Sequence, residues 1–347
     1  MSIKVGIVGA TGYTGAELVR ILSRHPEVEL VSLITQNYAD IPFWEVYPHL
    51  YKYNQMICEK LELTALLDAS DVIFVALPHG HAMPIALDAL RQGKKLIDLG
   101  ADFRLNDYSV YEQWYKVEHT TRELLSKAVY GLPELNRKEI KGARLVANPG
   151  CYPTSVLLAL APLLNRKLID PGSIIIDSKS GVSGAGRGLS LGTHFCEVNE
   201  NFKAYNVGVH RHTPEIEQEL SKLAGETVTV SFTPHLLPLT RGILSTIYAK
   251  LSKPVEQGEV LEYYQEYYLE EKFVRVLPGG LLPQTKWTAG TNHCDLGVAL
   301  DSRTGRVIVV SAIDNMVKGA SGQAVQNMNL ICGLPEDTAL NGPGLYP

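Results

Sequence analysis

Long apolar runs are missing from this 347-residue chain: the longest, such as residues 156–161, fall far short of the ~20 residues a bilayer demands. No membrane-spanning helix is expected. No secretory leader is expected either, because Met1-Ser2-Ile3-Lys4 runs straight into Val5-Gly6-Ile7-Val8, with neither the longer apolar stretch nor the small-residue cleavage site of such a signal. A cytoplasmic location is the expectation. Charge of one sign is scarce: 32 basic and 37 acidic residues leave a formal net charge of -5, which offers no bulk attraction to nucleic acid or anionic lipid. Affinity for an anion must therefore come from a local site. Cysteine is sparse, and Cys58, Cys151, Cys196, Cys294 and Cys332 include no C-x-x-C pair and no Cys/His zinc spacing. Neither a disulfide scaffold nor a metal centre is expected.

What is there is the composition of an ordinary globular protein, 45% apolar and 20% charged, long enough for about two domains at roughly 150 residues each. An apolar run over 3–8 stops at a glycine-rich turn, Leu18, Val19, Ile21 and Leu22 follow with helical spacing, and a second apolar run covers 28–34. This is a βαβ unit, whose parallel strands need a right-handed crossover. Strands over 72–77, 95–98 and 144–147, with a helix over 82–91, continue the alternation, so residues 1–148 are expected to form a doubly wound α/β domain. Past Pro149 the pattern changes. A helix over 154–164 and strands over 173–177, 227–235, 242–251, 295–301 and 307–312 predict an α+β domain with a mixed sheet over 149–317. Val317, Ala320, Ala324, Val325 and Met328 have helical spacing, and a C-terminal helix within 318–347 is expected to return to the first domain.

Gly9, Gly12 and Gly15 fall between the first strand and the first helix, with Thr11, Tyr13 and Thr14 among them. Residues without Cβ let the backbone turn sharply and approach a pyrophosphate, whose charge rests on N–H groups at the positive helix end. A dinucleotide is the expected ligand. At the end of the second strand, where an NAD site often sets a carboxylate against the ribose hydroxyl, stand Thr35, Gln36 and Asn37. No acid there repels a 2′-phosphate, which favours NADP. The lack of an arginine and the nearness of Asp40 leave NAD open.

Asn148-Pro149-Gly150-Cys151-Tyr152-Pro153-Thr154 joins a buried strand to an apolar helix. Cys151 is expected in a tight turn just ahead of a helix N-terminus, where a thiol is exposed or its thiolate favoured. Thiolate attacks acyl carbon, and N–H groups at the same helix end suit the developing oxyanion. Such a thiol needs a proton partner. His210-Arg211-His212-Thr213-Pro214-Glu215 brings imidazole and guanidinium together at a helix start, with Thr213 and Pro214 suited to N-cap and N1. If His210 faces Cys151, an imidazole of ordinary pKa near 6.5 can both activate the thiol and protonate a product oxygen. A solvated basic loop is the alternative.

Together, Gly-Ala-Thr-Gly-Tyr-Thr-Gly at 9–15, Leu-Pro-His-Gly at 77–80, Asp-Leu-Gly-Ala-Asp-Phe-Arg at 98–104, Asn-Pro-Gly-Cys-Tyr-Pro-Thr at 148–154 and His-Arg-His-Thr-Pro-Glu at 210–215 resemble the N-acetyl-gamma-glutamyl-phosphate reductase family of arginine biosynthesis. Further likeness at 130–134, 180–186 and 314–320 extends it over nearly the whole chain. The resemblance implies a Rossmann-type NADP-binding domain, a catalytic and oligomerisation domain, and reduction of an acyl phosphate by NADPH to a semialdehyde with release of phosphate. It implies that Cys151 forms a thioester, that His210 assists collapse of a thiohemiacetal, and that Glu215 orients a basic group. It also implies that Pro78, Gly181 and Gly184 approach the cofactor, that Asn315 reaches the nicotinamide amide, and that the protein is a homodimer or homotetramer built through its second domain. Family members often carry a Ser-Arg type pair where this chain has Thr35, Gln36 and Asn37.

A substrate bearing carboxylate and phosphate needs cationic forks. Arg104 in the first domain and Arg211 and Arg241 in the second are the candidates, expected to close around substrate at the domain cleft. Two other readings stand. One is a reductase for aspartyl or N-blocked aminoadipyl phosphate, since one methylene is worth only about 1–3 kcal/mol of discrimination. The other is a nucleotide-binding redox sensor in which Cys151 is only a reactive or structural thiol, which leaves the His210 segment without a role.

Overall fold

In the computed structural model, which describes residues 2–344, the segment ending at Pro149 joins Ala320–Gly342 in one unit, and Gly150–Gly319 with Pro343 and Gly344 makes a second. The first is built on β1 (Ile3–Val8), β2 (Val28–Ile34), β3 (Val72–Val75), β4 (Lys95–Asp98), β5 (Ala128–Tyr130) and β6 (Leu145–Ala147). They form an all-parallel sheet in the order β2-β1-β3-β4-β6-β5. All of β3 is buried, as suits a parallel strand covered on both faces. The chain leaves β1 for β2 on one side and reaches β3 on the other, a topological switch whose crevice at the strand C-termini is where such sheets bind ligands. The helix Tyr13–Leu22 starts at that crevice.

The second unit holds β7 (Ile175–Ser180), β8 (Lys203–Ala204), β9 (Ser231–Leu236), β10 (Ile243–Lys250), β11 (Val274–Val276), β12 (Cys294–Asp301) and β13 (Arg306–Ile313). Their order is β11-β12-β13-β10-β7-β9-β8, with parallel β11–β12 and β7–β9 pairs and the rest antiparallel. The helix Cys151–Asn165 packs against β10, β13 and the helix Thr213–Ala224. Its apolar length is buried on every side: Val156, Leu157, Leu158, Leu160 and Leu163 expose nothing. Pro162 lies inside it and removes the N–H that would serve Leu158 O. Tyr268 Oη donates to that carbonyl at 2.5 Å, and Tyr264 Oη to Ala159 O at 2.5 Å. Beneath the helix a chain of buried hydroxyls, Ser178–Ser245–Ser155–Ser311, is linked at 2.7, 2.8 and 3.0 Å.

Several expected boundaries shift. The helix expected over 154–164 begins at Cys151 with Gly150 as N-cap, because Pro153 falls in the first turn, where its missing N–H has no intrahelical partner to lose. The helix after His210 has His212 as N-cap and Thr213 first, one residue earlier than the capping chemistry of Thr213 suggested. The strand expected over 173–177 runs as Ile175–Ser180, and that over 227–235 as Ser231–Leu236. The C-terminal helix expected within 318–347 is a π-helical turn, Val317–Ser321, followed by the helix Gly322–Ile331. Gly333 at φ +74 stops it, with Gly333 N on Leu330 O at 3.1 Å and Leu334 N on Asn329 O at 2.8 Å, a Schellman ending. Of that expectation, residues 345–347 lie outside the described residues. The helix Gly322–Ile331 packs on Tyr13–Leu22 and Pro133–Lys141, and it is buried throughout.

Tyr268→Phe keeps the ring and strips Leu158 O of its donor. The variant should lose about 1–3 kcal/mol in urea unfolding, the cost of a buried carbonyl left unmatched; unchanged stability would show that the proline gap is satisfied otherwise.

Candidate active site

The first-unit residues expected to meet the nucleotide gather at the C-terminal ends of β1, β2 and β3. Gly9 has φ +88, and a Cβ there would sit 2.4 Å from Ala76 O; one at Gly15 would lie 2.2 Å from Gly9 O. Gly9 is glycine because its positive φ and the Ala76 carbonyl just past β3 exclude a side chain, and Gly15 because the helix starts too close to the turn for anything larger. Gly12 differs. Its φ is ordinary at −72° and its nearest protein neighbour would be Gly9 O at 3.5 Å, so the protein itself leaves room for a side chain. The helix Tyr13–Leu22 has no side-chain cap and no acid in its first turn, which keeps its positive end open to an anion. Thr11 and Thr35 share a buried hydroxyl–hydroxyl bond of 2.6 Å that ties the turn to the end of β2, and Tyr47 Oη donates to Thr11 O at 3.0 Å. Ser321 Oγ donates to Thr14 O at 2.8 Å. Gln36, Asn37 and Pro78 are exposed.

In the second unit Cys151 is the first residue of the buried helix, its thiol half-buried. The amide just before it, Gly150 N–H, donates to Glu215 Oε1 at 2.8 Å. Glu215 is itself buried in the first turn of Thr213–Ala224, so two helix starts are tied together at the thiol. Thr154 N bonds Gly150 O at 3.0 Å and Pro153 has no N–H. The first-turn amides that the helix itself does not use are thus those of Cys151 and Tyr152.

His210 is buried among rings: Tyr152 at 5.5 Å, Tyr205 at 5.5 Å, Phe232 at 5.3 Å and His212 at 4.9 Å between centroids. Burial first, and then the Arg211 charge, bring its pKa down to about 4. The imidazole is neutral at pH 7. Its Nδ1 accepts the His212 amide at 3.1 Å, which assigns the proton to Nε2. Tyr152 and Tyr205 hydroxyls meet at 3.1 Å. Burial, with the Cys151 charge adding to it, raises both phenols, Tyr205 to about 12, so both remain protonated donors beside the sulfur.

The three arginines differ in kind. Arg104 is buried, its Nε donating to Asn148 O at 2.8 Å and Nη2 to Leu99 O at 2.9 Å. Those bonds fix the strand end that leads to Pro149, Gly150 and Cys151. Arg211 is exposed, while Arg241 has its side chain 36% exposed and Nη1 3.6 Å from Asp314 Oδ2. Asn315 stands where Ser183, Gly184 and Gly242 converge: its Nδ2 donates to Ser183 Oγ at 2.9 Å and its Oδ1 accepts Gly242 N at 2.8 Å. A Cβ on Gly184 would be 3.7 Å from Asn315 Nδ2, and one on Gly181 2.8 Å from Thr240 O. Asn148, Tyr152, Tyr205 and Asp314 were not singled out by sequence reasoning. Asn148 and Tyr152 carried a signal as members of the segment around Cys151, and Asp314 as the first residue of the 314–320 likeness; Tyr205 carried none. Among the described residues no His/Cys/Asp/Glu group suits a metal ion, and no helix is long and apolar enough to cross a membrane.

Two family models match the chain: the semialdehyde dehydrogenase NAD binding domain over residues 4–143 and the semialdehyde dehydrogenase dimerisation domain over residues 151–315. An N-acetyl-gamma-glutamyl-phosphate reductase of Pelotomaculum thermopropionicum is 73% identical over 100% of both chains. One of Desulforudis audaxviator is 66% identical over 99% of this chain and 100% of its own. In fold the chain is similar to aspartate semialdehyde dehydrogenase II of Vibrio cholerae, complexed with ASA, with TM-score 0.73 and 17% identity over 96% of this chain and 99% of that one. It is also similar to aspartate semialdehyde dehydrogenase with NADP of Candida albicans, with TM-score 0.72 and 16% identity over 96% and 99%.

The lowered pKa of His210 has a measurable consequence. An NMR titration of its ring should show a midpoint near 4, whereas the unfolded chain takes up that proton near 6.5. Folded His210 therefore binds fewer protons than unfolded His210 between those values, and acidification through the window weakens the fold. A midpoint at or above 6.5 would contradict the buried neutral imidazole.

Proposed function

The chain belongs to the N-acetyl-gamma-glutamyl-phosphate reductase family of the semialdehyde dehydrogenases, and on that premise we propose that Cys151, His210 and Glu215 carry its reaction. That reaction is the NADPH-dependent reduction of N-acetyl-gamma-glutamyl phosphate to N-acetylglutamate 5-semialdehyde and phosphate, in arginine biosynthesis. One observation supports the assignment most directly: Cys151 opens a helix buried from Tyr152 to Leu164, and the amide before it is held by the Glu215 carboxylate at 2.8 Å. The redox-sensor alternative gives neither Glu215 nor His210 a task. Identity of 73% along the full length favours the acetylglutamyl substrate over its aspartyl and aminoadipyl rivals.

The Cys151 sulfur, as thiolate with its proton given up to solvent, attacks the acyl carbon, the acyl C–O bond breaks, and its electron pair leaves with phosphate, which gives a thioester. The glycine turn would hold NADPH, which would supply the hydride for reduction of this carbon. Hydride addition leaves the thiohemiacetal as its oxyanion; when this collapses, an oxygen lone pair re-forms C=O, the C–S electrons return to sulfur as thiolate and the aldehyde forms. His210 offers Nε2–H to the oxygen that becomes negative in each step. Taking the thiol proton at Nε2 requires the opposite tautomer, which would turn an Nδ1–H against the His212 amide; the hydrogen bond therefore favours the donor role. Glu215 positions Cys151 through Gly150 N–H. Arg211 and Arg241 suit the anionic ends of the substrate, and Arg104 suits holding the approach to the nucleophile. Gly12, which the protein does not need as glycine, fits a close-approaching pyrophosphate, with Thr11, Tyr13, Thr14, Gln36 and Pro78 about it. Gly181, Gly184 and Asn315 suit the cofactor's nicotinamide end.

The protein is an oligomeric enzyme of small molecules. Its homodimer or homotetramer contact fits the sheet face opposite the helix Cys151–Asn165, where Ile175 is 43% exposed and Thr246 and Tyr248 are half-buried.

Cys151→Ser should cut phosphate-dependent NADP reduction with N-acetylglutamate semialdehyde by roughly 10³-fold or more and leave NADP binding intact, because the glycine turn is untouched. Near-normal turnover would remove Cys151 from the chemistry; preference for aspartate semialdehyde would change the substrate.

A further inference from the structure

The Asp314 carboxylate is fully buried at the end of β13 and connects two parts of the second unit. Oδ1 accepts the amides of Met316 at 2.7 Å and Val317 at 3.2 Å; Oδ2 accepts Gly290 N at 2.8 Å and lies 3.6 Å from Arg241 Nη1. The Asp314 carbonyl accepts Val317 N at 3.2 Å and Gly319 N at 2.9 Å. These bonds shape the π-helical turn Val317–Ser321, a rare conformation that recurs at functional sites. Gly319, within that turn, is pressed against the nucleophile. A Cβ added there would lie 2.8 Å from Cys151 Cβ and 3.3 Å from its Cα.

Stability does not explain a carboxylate in this place, since a buried ion pair gains little over apolar packing. Geometry does. Four donors converge on the two oxygens, and an amide in either orientation would turn its NH₂ onto one pair of them. We propose that Asp314 is a positioning residue that aims Arg241 at the substrate anion and, through the π turn and Gly319, sets the Cys151 sulfur. The first arm rests on the assignment of Arg241 above; the second does not.

The test compares Asp314→Asn, Arg241→Ala, the double variant and Gly319→Ala. It measures phosphorolytic kinetics with N-acetylglutamate semialdehyde, phosphate and NADP, and follows iodoacetamide alkylation of Cys151 against pH by mass spectrometry. Asp314→Asn should raise the phosphate or semialdehyde KM about tenfold, lower kcat about tenfold or more and change the alkylation profile. Arg241→Ala should move KM alone, and the double variant should show no larger KM than Arg241→Ala, the signature of two residues acting as one. Gly319→Ala, which keeps the carboxylate, should lower kcat and alter alkylation with KM unchanged. A lower Tm for Asp314→Asn with unchanged kinetics and alkylation would overturn the proposal, as would multiplying KM effects in the double variant. Unchanged KM in Arg241→Ala would overturn the anion assignment and the first arm with it; the alkylation profiles alone decide the second.

Discussion

A helix buried on every side cannot slide or roll without opening cavities, and the residue that opens this one is Cys151. The site inherits its precision from that constraint. Truncating any of Val156, Leu157, Leu160 or Leu163, all without exposed surface, would cost the few kcal/mol typical of a core cavity. The same packing that stabilises the unit fixes where the sulfur stands. The serine hydroxyl chain adds registration: Ser155 lies one turn below Cys151 and is bonded to both Ser245 and Ser311, so the first turn is tied to two neighbouring strands of the sheet.

Around that fixed point the electrostatics separate the proposed acid, His210, from the proposed nucleophile, Cys151. Burial holds His210 neutral and its hydrogen bond to the His212 amide leaves the proton on Nε2. A cationic imidazole in this ring cluster would lack solvation. A neutral donor suits an oxygen whose charge appears only as bonds change, because the donor is in place before the charge develops. Glu215 accepts Gly150 N–H, so its proposed contribution runs through the backbone.

The repeating parts of the fold were legible. The strands Val28–Ile34 and Lys95–Asp98 and the helix Ala82–Arg91 coincide with their sequence patterns, because apolar periodicity there reports burial directly. The short strands Ala128–Tyr130, Lys203–Ala204 and Val274–Val276 were missed, since two or three residues show no period. In the site, Cys151 and His210 stood out by local chemistry. Tyr205 and Tyr152 meet across 53 positions and Gly319 and Cys151 across many more, so no local pattern announces either contact. Arg104 illustrates another limit: its residue type suggested an anion, and no local pattern announced that it is buried with bonds to the Asn148 and Leu99 carbonyls.

The central claim is that carbon, during reduction, is bonded to the Cys151 sulfur. Rapid quenching of enzyme mixed with N-acetyl-gamma-glutamyl phosphate in the absence of NADPH, followed by intact and peptide mass spectrometry, reads that bond directly. The account predicts one N-acetylglutamyl group on Cys151, removed when NADPH is added. Turnover-competent enzyme that carries no acyl group, or carries it on Cys196, Cys294 or Cys332, would contradict it.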